Sequence, residues 1–347
     1  MKMNPLGRTG LSVSELCLGT MTYGNQTPES DAHSQIEMAL EAGINFLDTA
    51  EMYPVNPVRK ESIGRTEEVI GNWFAKTGRR SDWIVATKIT GQGQEAVRDG
   101  APITPETLDT ALEGSLRRLQ TDMVDLYQLH WPNRGSYAFR QNWSYAPEHQ
   151  DAAATRQNMA DVLGWMERQV ERGTIRFFGL SNETTWGTSE WLRIAAETST
   201  PRVASIQNEY SLLCRLADTD LAELMVNEDV GLLPYSPLAA GLLTGKYQGG
   251  AVPEGSRRSL NETLGGRIND RVFGVVEEYL AVAREFGLDP SQMALAWSAR
   301  RPFVASSILG ATTTEQLSLL LGAAEVTLED DLLARLDAVN RAHPMPI

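Results

Sequence analysis

Four side chains of complementary acid–base character stand at the ends of short apolar runs. In Asn45 to Tyr53 (N-F-L-D-T-A-E-M-Y) the run closes on Asp48, and Tyr53 falls on a segment that Pro54 and Pro57 force into a loop. Trp83 to Thr90 (W-I-V-A-T-K-I-T) delivers Lys88, and Asp125 to Pro132 (D-L-Y-Q-L-H-W-P) delivers His130. A free tyrosine titrates at about 10, so at neutral pH it is a proton donor, and an adjacent ammonium draws its pKa toward the working range. Lys88 is one of only five lysines, and it lies in an apolar strand where an uncompensated charge is expensive. Asp48, one strand over, is its natural counter-charge. A neutral His130 offers an N–H that polarises a carbonyl oxygen while Tyr53 delivers the proton. The set describes a carbonyl-reducing oxyanion site that lacks only a hydride source. Each residue also has a plainer reading: a strand-end His before Trp-Pro is often a satisfied core residue, and a buried Asp–Lys pair is often only structural. Joint placement at the same end of three successive strands favours the chemical reading.

What must position these residues is an alternation of short apolar strands with amphipathic helices. Met3 to Ser14, with Gly7 and Gly10 at its centre, reads as a hairpin ahead of the repeat. Strands are expected at Glu15–Gly19, Asn45–Asp48, Trp83–Lys88, Asp125–His130, Thr174–Leu180, Ala204–Asn208, Gly231–Tyr235 and Val304–Leu309. Helices are expected between them, among them Asp31–Ala42 capped by Ser30, Gly64–Lys76, Thr155–Glu171 and Thr188–Glu197. The clearest helix starts from Thr104 as N-cap with Pro105 at N1 and carries Leu108, Leu112, Leu116 and Leu119 on one stripe. Further helices are expected near 219–227, 272–286, 290–300, 314–324 and 328–341. Eight strand–helix units need parallel pairing with right-handed crossovers and close into a (β/α)8 TIM barrel, an α/β fold, with an N-terminal β-hairpin and extra helices. No low-complexity linker divides residues 1–347, so a single domain is expected.

The bulk properties narrow the partners. A net charge of −14, a pI near 4.9 and no basic stripe argue against a nucleic-acid or anionic-membrane surface. Cys17 and Cys214 match no metal or redox spacing and read as two structural thiols in a reducing cytoplasm; no metal is expected. No segment approaches the roughly 18 apolar residues of a membrane span. Gly91, Gly93 and Ala96 imitate the G-x-G-x-x-A dinucleotide fingerprint, but Gly100, Pro102 and Pro105 interrupt the helix that motif has to open. We read this stretch as a loop.

The ordered matches G-T-M (Gly19, Thr20, Met21), L-D-T-A-E-M-Y (Leu47 to Tyr53), Lys88, L-H-W-P (Leu129 to Pro132), G-L-S-N (Gly179 to Asn182), I-Q-N (Ile206 to Asn208), Y-S-P-L (Tyr235 to Leu238), G-L-L-T-G-K-Y (Gly241 to Tyr247) and L-G-A-T-T-T-E-Q-L (Leu309 to Leu317) resemble the aldo-keto reductases, especially their Tas-like members. The resemblance implies a catalytic tetrad of Asp48, Tyr53, Lys88 and His130, with Tyr53 as proton donor. It also implies the hydride source, NADP(H), held extended across the barrel mouth. By matched position, Gly19, Thr20 and Met21 would border the cofactor. Ser181, Asn182 and Gln207 would bind the carboxamide and Tyr235 would stack on the nicotinamide. Ser236, Leu238, Gly241, Lys246 and Arg257 would wrap the phosphates, with Gly310, Thr312 and Gln316 at the adenosine end. Lys246 and Arg257 favour NADPH over NADH.

Two departures stand out: Leu319 and Leu320 replace the family's usual polar residues near the adenine, and Glu183 stands where many members carry an aromatic. The substrate is expected to be a small carbonyl compound bounded by Tyr23, Met52 and Trp131. The insertion Asn133 to Ala154, with Tyr137, Phe139, Trp143 and Tyr145, would either wall that pocket or cover an edge or an oligomer contact. Two other functions fit the sequence: a cofactor-sensing regulatory subunit with slow turnover, and a barrel isomerase using His130 as base.

Overall fold

The computed structural model describes residues 1–347. Strands β1 (Met3–Pro5) and β2 (Ser12–Ser14) pair antiparallel as the expected hairpin. The repeat then runs β3 (Leu16–Gly19), α1 (Glu29–Glu41), β4 (Phe46–Asp48), α2 (Arg65–Thr77), β5 (Ile84–Ile89), α3 (Pro105–Leu119), β6 (Val124–Leu129), α4 (Ala152–Arg172), β7 (Ile175–Ser181), α5 (Thr185–Thr198), β8 (Val203–Gln207), α6 (Asp220–Glu228) and β9 (Gly231–Leu232). A long connection holds the four-residue helix α7 (Arg257–Leu260). Helices α8 (Val272–Glu285) and α9 (Pro290–Ala299), strand β10 (Ser307–Leu309) and helices α10 (Thr314–Leu321) and α11 (Asp330–Ala342) complete the chain.

Strands β3 to β10 form one parallel sheet in the order β10-β3-β4-β5-β6-β7-β8-β9. Its two ends meet: Leu232 N donates to Phe303 O, Ala305 N to Leu232 O and Ile308 N to Pro234 O, each at 2.9 Å. The sheet therefore curls into the (β/α)8 barrel with its hairpin. No helix is long and apolar enough to cross a membrane.

Strand periodicity explains where the chemistry sits. Side chains two apart share a face, so Phe46, Ala86 and Leu126 point into the barrel with Cys17, Ala204 and Leu233, and Leu6 and Val13 from the hairpin join this apolar plug. One step further along each strand, Asp48, Lys88 and Gln128 face the same interior; the outward residues Leu47, Val85 and Tyr127 pack under the helices in the main core. The polar layer thus lies directly above the plug, at the C-terminal ends of the strands.

Several helix starts differ from the sequence reading, among them α5, which begins at Thr185 rather than Thr188 because the Thr184 hydroxyl caps it by accepting from Gly187 N at 3.1 Å. Helix α1 begins at Glu29 because Pro28, not Ser30, is its N-cap. Helix α4 begins at Ala152, where the Asp151 carboxylate accepts from Ala153 N and Ala154 N at 2.9 Å each, so the insertion ends three residues earlier than expected. The Thr104 cap of α3 is present as a capping box with Thr107.

Candidate active site

Lys88 is fully buried, and all three of its ammonium protons have acceptors: Asp48 Oδ2 at 2.7 Å, Thr49 O at 2.7 Å and Tyr53 OH at 3.4 Å. Asp48 turns its other oxygen to Gln128 Nε2 at 3.1 Å and Gln207 Nε2 at 2.9 Å. A charge pair removed from water is tolerable only when its remaining lone pairs and protons are satisfied, and this one is. The Tyr53 ring lies 4.8 Å from the ammonium and meets the His130 ring edge-on at 5.9 Å. The four side chains expected to act together are therefore gathered at one rim of the barrel.

Their electrostatics refine the expectation. Burial pushes the Tyr53 phenol up, and the opposing pull of Lys88 does not cancel it, so the net shift is upward rather than toward neutrality. Burial alone would depress Lys88, but Asp48 and then Tyr53 outweigh it and hold the ammonium charged. His130 is driven well below its ordinary value, first by burial and then by Lys88, and its Nδ1 is buried without a partner. A protonated phenol, a fixed ammonium and a neutral imidazole around one opening can donate two hydrogen bonds to an oxygen and pass it one proton.

The expected cofactor positions divide into two groups. Thr20 is fully buried with its hydroxyl on Asp48 O at 2.8 Å, and a Cβ on Gly19 would meet Ile308 and Leu309, so these two residues serve barrel packing around Asp48. Met21 lies beside them with its carbonyl on Val55 N. Ser181, Asn182 and Gln207 do converge beside His130. Their polar atoms are joined to one another and to neighbours: Ser181 Oγ donates to Gln207 O, Asn182 Nδ2 to His130 O, and Tyr235 OH to Asn182 Oδ1 at 2.7 Å.

The connection after β9 carries left-handed φ values at Ser236, Ala239, Ala240 and Gly241, beside Leu238. Such clusters of sparsely populated backbone conformations gather at ligand clamps. Neither Lys246 nor Arg257 has a carboxylate within 4.0 Å. Arg257 is half-buried, keeps a buried unpartnered Nε beside the unpartnered Ser256 Oγ, and is pulled below its ordinary pKa by burial and then by Arg267. A partly desolvated cation with no carboxylate beside it suits a phosphate. At the far end Gln316 Oε1 accepts from Thr312 N at 3.0 Å, Gly310 is exposed, Leu319 is exposed and Leu320 is buried. Helix α10 carries no cation.

The Trp131 ring lies 5.0 Å from that of His130, tilted at 46°, and Phe139 of the insertion meets it edge-on at 5.8 Å, making one wall of the opening. Tyr23 is a correction. It is fully buried and its hydroxyl donates to Gln35 of α1 at 3.2 Å, so it faces the helix layer rather than the opening. Within the insertion, Tyr137 and Tyr145 pack on each other, and Trp143 is 64 % exposed. A cavity of about 710 Å³ opens beneath the insertion, lined by Trp131, Asn133, Arg134, Tyr145, Gln150 and Glu183, and it does not reach Tyr53 or His130. The Gly91–Gly93 stretch is a loop: a Cβ on Gly91 would meet the Trp131 indole, which donates to Gln92 O at 3.0 Å. Sequence reasoning missed Gln128, which the two-residue period places inward between Leu126 and His130. It also missed Arg140 and Glu209, whose contacts join distant segments.

The Aldo/keto reductase family model matches residues 15–341. Protein tas of Escherichia coli (strain K12) is 41% identical over 350 residues, covering 100% of this chain and 99% of that protein. The uncharacterized oxidoreductase YrpG of Bacillus subtilis is 32% identical, covering 98% of this chain and 96% of its own. A probable voltage-gated potassium channel subunit beta of Oryza sativa subsp. japonica is 30% identical, covering 99% and 98%. Taken with the barrel and the residues gathered at its rim, these matches show that the chain belongs to the aldo/keto reductase family.

Proposed function

We propose that the chain, acting as one (β/α)8 domain, reduces aldehydes or ketones to alcohols with NADPH and with Tyr53 as proton donor. The observation that carries this reading is the Tyr53 hydroxyl 3.4 Å from an ammonium that Asp48 holds buried and charged. When bound, the nicotinamide supplies a hydride to the carbonyl carbon. Tyr53 OH gives its proton to the carbonyl oxygen, so C=O, hydride and proton become CH–OH, and the phenolate left behind is stabilised by Lys88. The neutral His130 holds an N–H toward the same oxygen and orients it. Lys246 and Arg257 would hold the cofactor's phosphates, and Trp131 with Phe139 would shield one side of the carbonyl from water.

The potassium-channel beta-subunit name of a relative motivates a second reading, a cofactor-binding regulatory subunit with slow turnover. The satisfied Lys88–Asp48 pair beside a protonated phenol favours turnover. Titrating the protein with NADPH and NADH, then following NADPH oxidation with a panel of aldehydes and ketones, tests the proposal. It expects tighter NADPH binding and carbonyl-dependent oxidation. Binding with negligible turnover on every carbonyl would favour the regulatory reading, and absence of NADPH binding would remove both.

A further inference from the structure

Glu209 follows Gln207 and Asn208 at the end of β8, with its side chain 7% exposed. Two cations from different loops meet on it. Arg267, from the connection after β9, forms a fork with Nε 3.0 Å from Oε1 and Nη2 2.9 Å from Oε2. Arg140, from the insertion after β6, pairs with Oε2 of the same carboxylate. The loops also touch directly, since a Cβ on Gly266 would meet the Arg140 side chain.

Arg140 is held in an unusual place. It and Phe139 are consecutive non-glycine residues with left-handed φ, 67° and 57°. Each is a sparsely populated backbone conformation that persists only where the surroundings over-determine it. The surroundings here are the Arg140–Glu209 pair on one side and the Phe139 ring on Trp131 on the other. Phe139 reaches the catalytic rim through Trp131 and His130, so the pair that fixes Arg140 also fixes the aromatic wall. Arg267, for its part, is anchored by the fork and by Nη1 donating to Leu264 O at 2.6 Å, within the connection that carries Arg257.

We propose that Glu209 is a positioning residue that ties the substrate-facing insertion to the phosphate-facing connection, so that the Trp131–Phe139 wall is set only when both loops are seated. The kinetic part of this inference rests on the NADPH-linked reading above; the structural part does not. One carboxylate shared by two guanidiniums suits that task, because the charge-assisted fork from Arg267 fixes its orientation and presents Oε2, which the fork shares, to Arg140. By linkage, order in one loop then favours order in the other, whichever ligand comes first.

Amide hydrogen exchange of the full chain without ligand tests the tie. Glu209→Gln is expected to speed exchange at least fivefold across both 133–150 and 257–267. Arg140→Met is expected to do so across 133–150 alone, leaving 257–267 within twofold because the Arg267 fork survives. With NADPH and a carbonyl that turns over, Arg140→Met is expected to raise the carbonyl KM at least fivefold with kcat within threefold and NADPH Kd within twofold. Glu209→Gln is expected to raise both the KM and the Kd, and Arg140→Lys to recover part of the KM. General destabilisation would lower kcat and leave this split unseen. The tie is overturned if 133–150 exchanges within twofold of wild type in either variant. If Glu209→Gln does not fold, Arg140→Met and Arg140→Lys carry the test. Because exchange needs neither cofactor nor turnover, its failure leaves carbonyl reduction standing, and absence of reduction leaves the exchange result intact.

Discussion

Replacing Asp48 by Asn keeps the shape of the side chain and removes the charge that balances Lys88. The ammonium would still find Thr49 O and Tyr53 OH, but it would be a fully buried cation with no anion. Breaking a buried pair in this way costs about 3–5 kcal/mol. Lysine has an escape, since it can shed its proton: from an ordinary pKa of about 10.4 that costs about 4.5 kcal/mol at pH 7 and only about 1.2 kcal/mol at pH 9.5. The penalty is therefore about 4 kcal/mol at pH 7 and about 1 kcal/mol at pH 9.5. With 347 residues the unfolding entropy is roughly 0.7 kcal/mol/K, so the melting temperature should fall by about 5–6 °C at pH 7 and about 1–2 °C at pH 9.5. In the wild type the Lys88 pKa is raised on folding, so its contribution is fully present below about 10.4 and is lost only as pH rises through the folded value. The narrowing gap thus belongs to the variant. Thermal unfolding followed by circular dichroism at both pH values measures it, together with Asp48→Asn/Lys88→Met, which removes the orphaned charge and should recover part of the loss. A gap independent of pH, with a double variant no more stable than Asp48→Asn, would refute the reasoning.

Arg257→Met should weaken NADPH binding at least tenfold and NADH binding much less, as read by cofactor fluorescence titration; equal losses would show that Arg257 does not select the phosphate. The raised Tyr53 keeps its proton until pH passes its ordinary value of about 10, so reductive kcat/KM should be flat from pH 6 to 9 and fall only in the alkaline range. His130 is depressed on folding, so its contribution to stability is present above about 6.5 and is lost as pH falls; His130→Gln should flatten the acid limb of melting temperature against pH. Gly71 lets α2 approach the last turn of α3, where an added Cβ would meet Arg118 O and the Leu119 backbone; Gly71→Ala should destabilise by about 1–3 kcal/mol in denaturant titration despite its better helix propensity.

Much of the site was legible because strand geometry is rigid. Phe46 and Asp48, Ala86 and Lys88, Leu126 and His130 each mark a two-residue period that leads from the apolar plug to the rim, and a barrel puts such ends on one face. Loop residues carry no such constraint. Tyr23, four residues past β3, reads as rim-facing, yet its loop turns it to Gln35. Local signals also competed: Ser30 is a good cap, but Pro28, with φ of −57°, already ends the extended segment. Around α4, Asp151 and Thr155 are both capping residues, and Ala152 to Ala154 extend the helix to the earlier one. Lys88 does pull the Tyr53 pKa down, but the burial of the phenol, which decides the net direction, is set by the tertiary fold and not by the local sequence. The convergence of Arg140 and Arg267 on Glu209 joins three separate loops and leaves no trace in any local pattern.

The central claim is that Tyr53 protonates the carbonyl oxygen as hydride arrives. Its most direct test is a single-turnover comparison of wild type and Tyr53→Phe, each saturated with NADPH, mixed with an aldehyde the wild type reduces, and followed at the nicotinamide absorbance. General-acid catalysis predicts a rate at least about 100-fold lower in Tyr53→Phe with NADPH affinity within twofold; equal rates would contradict the assignment.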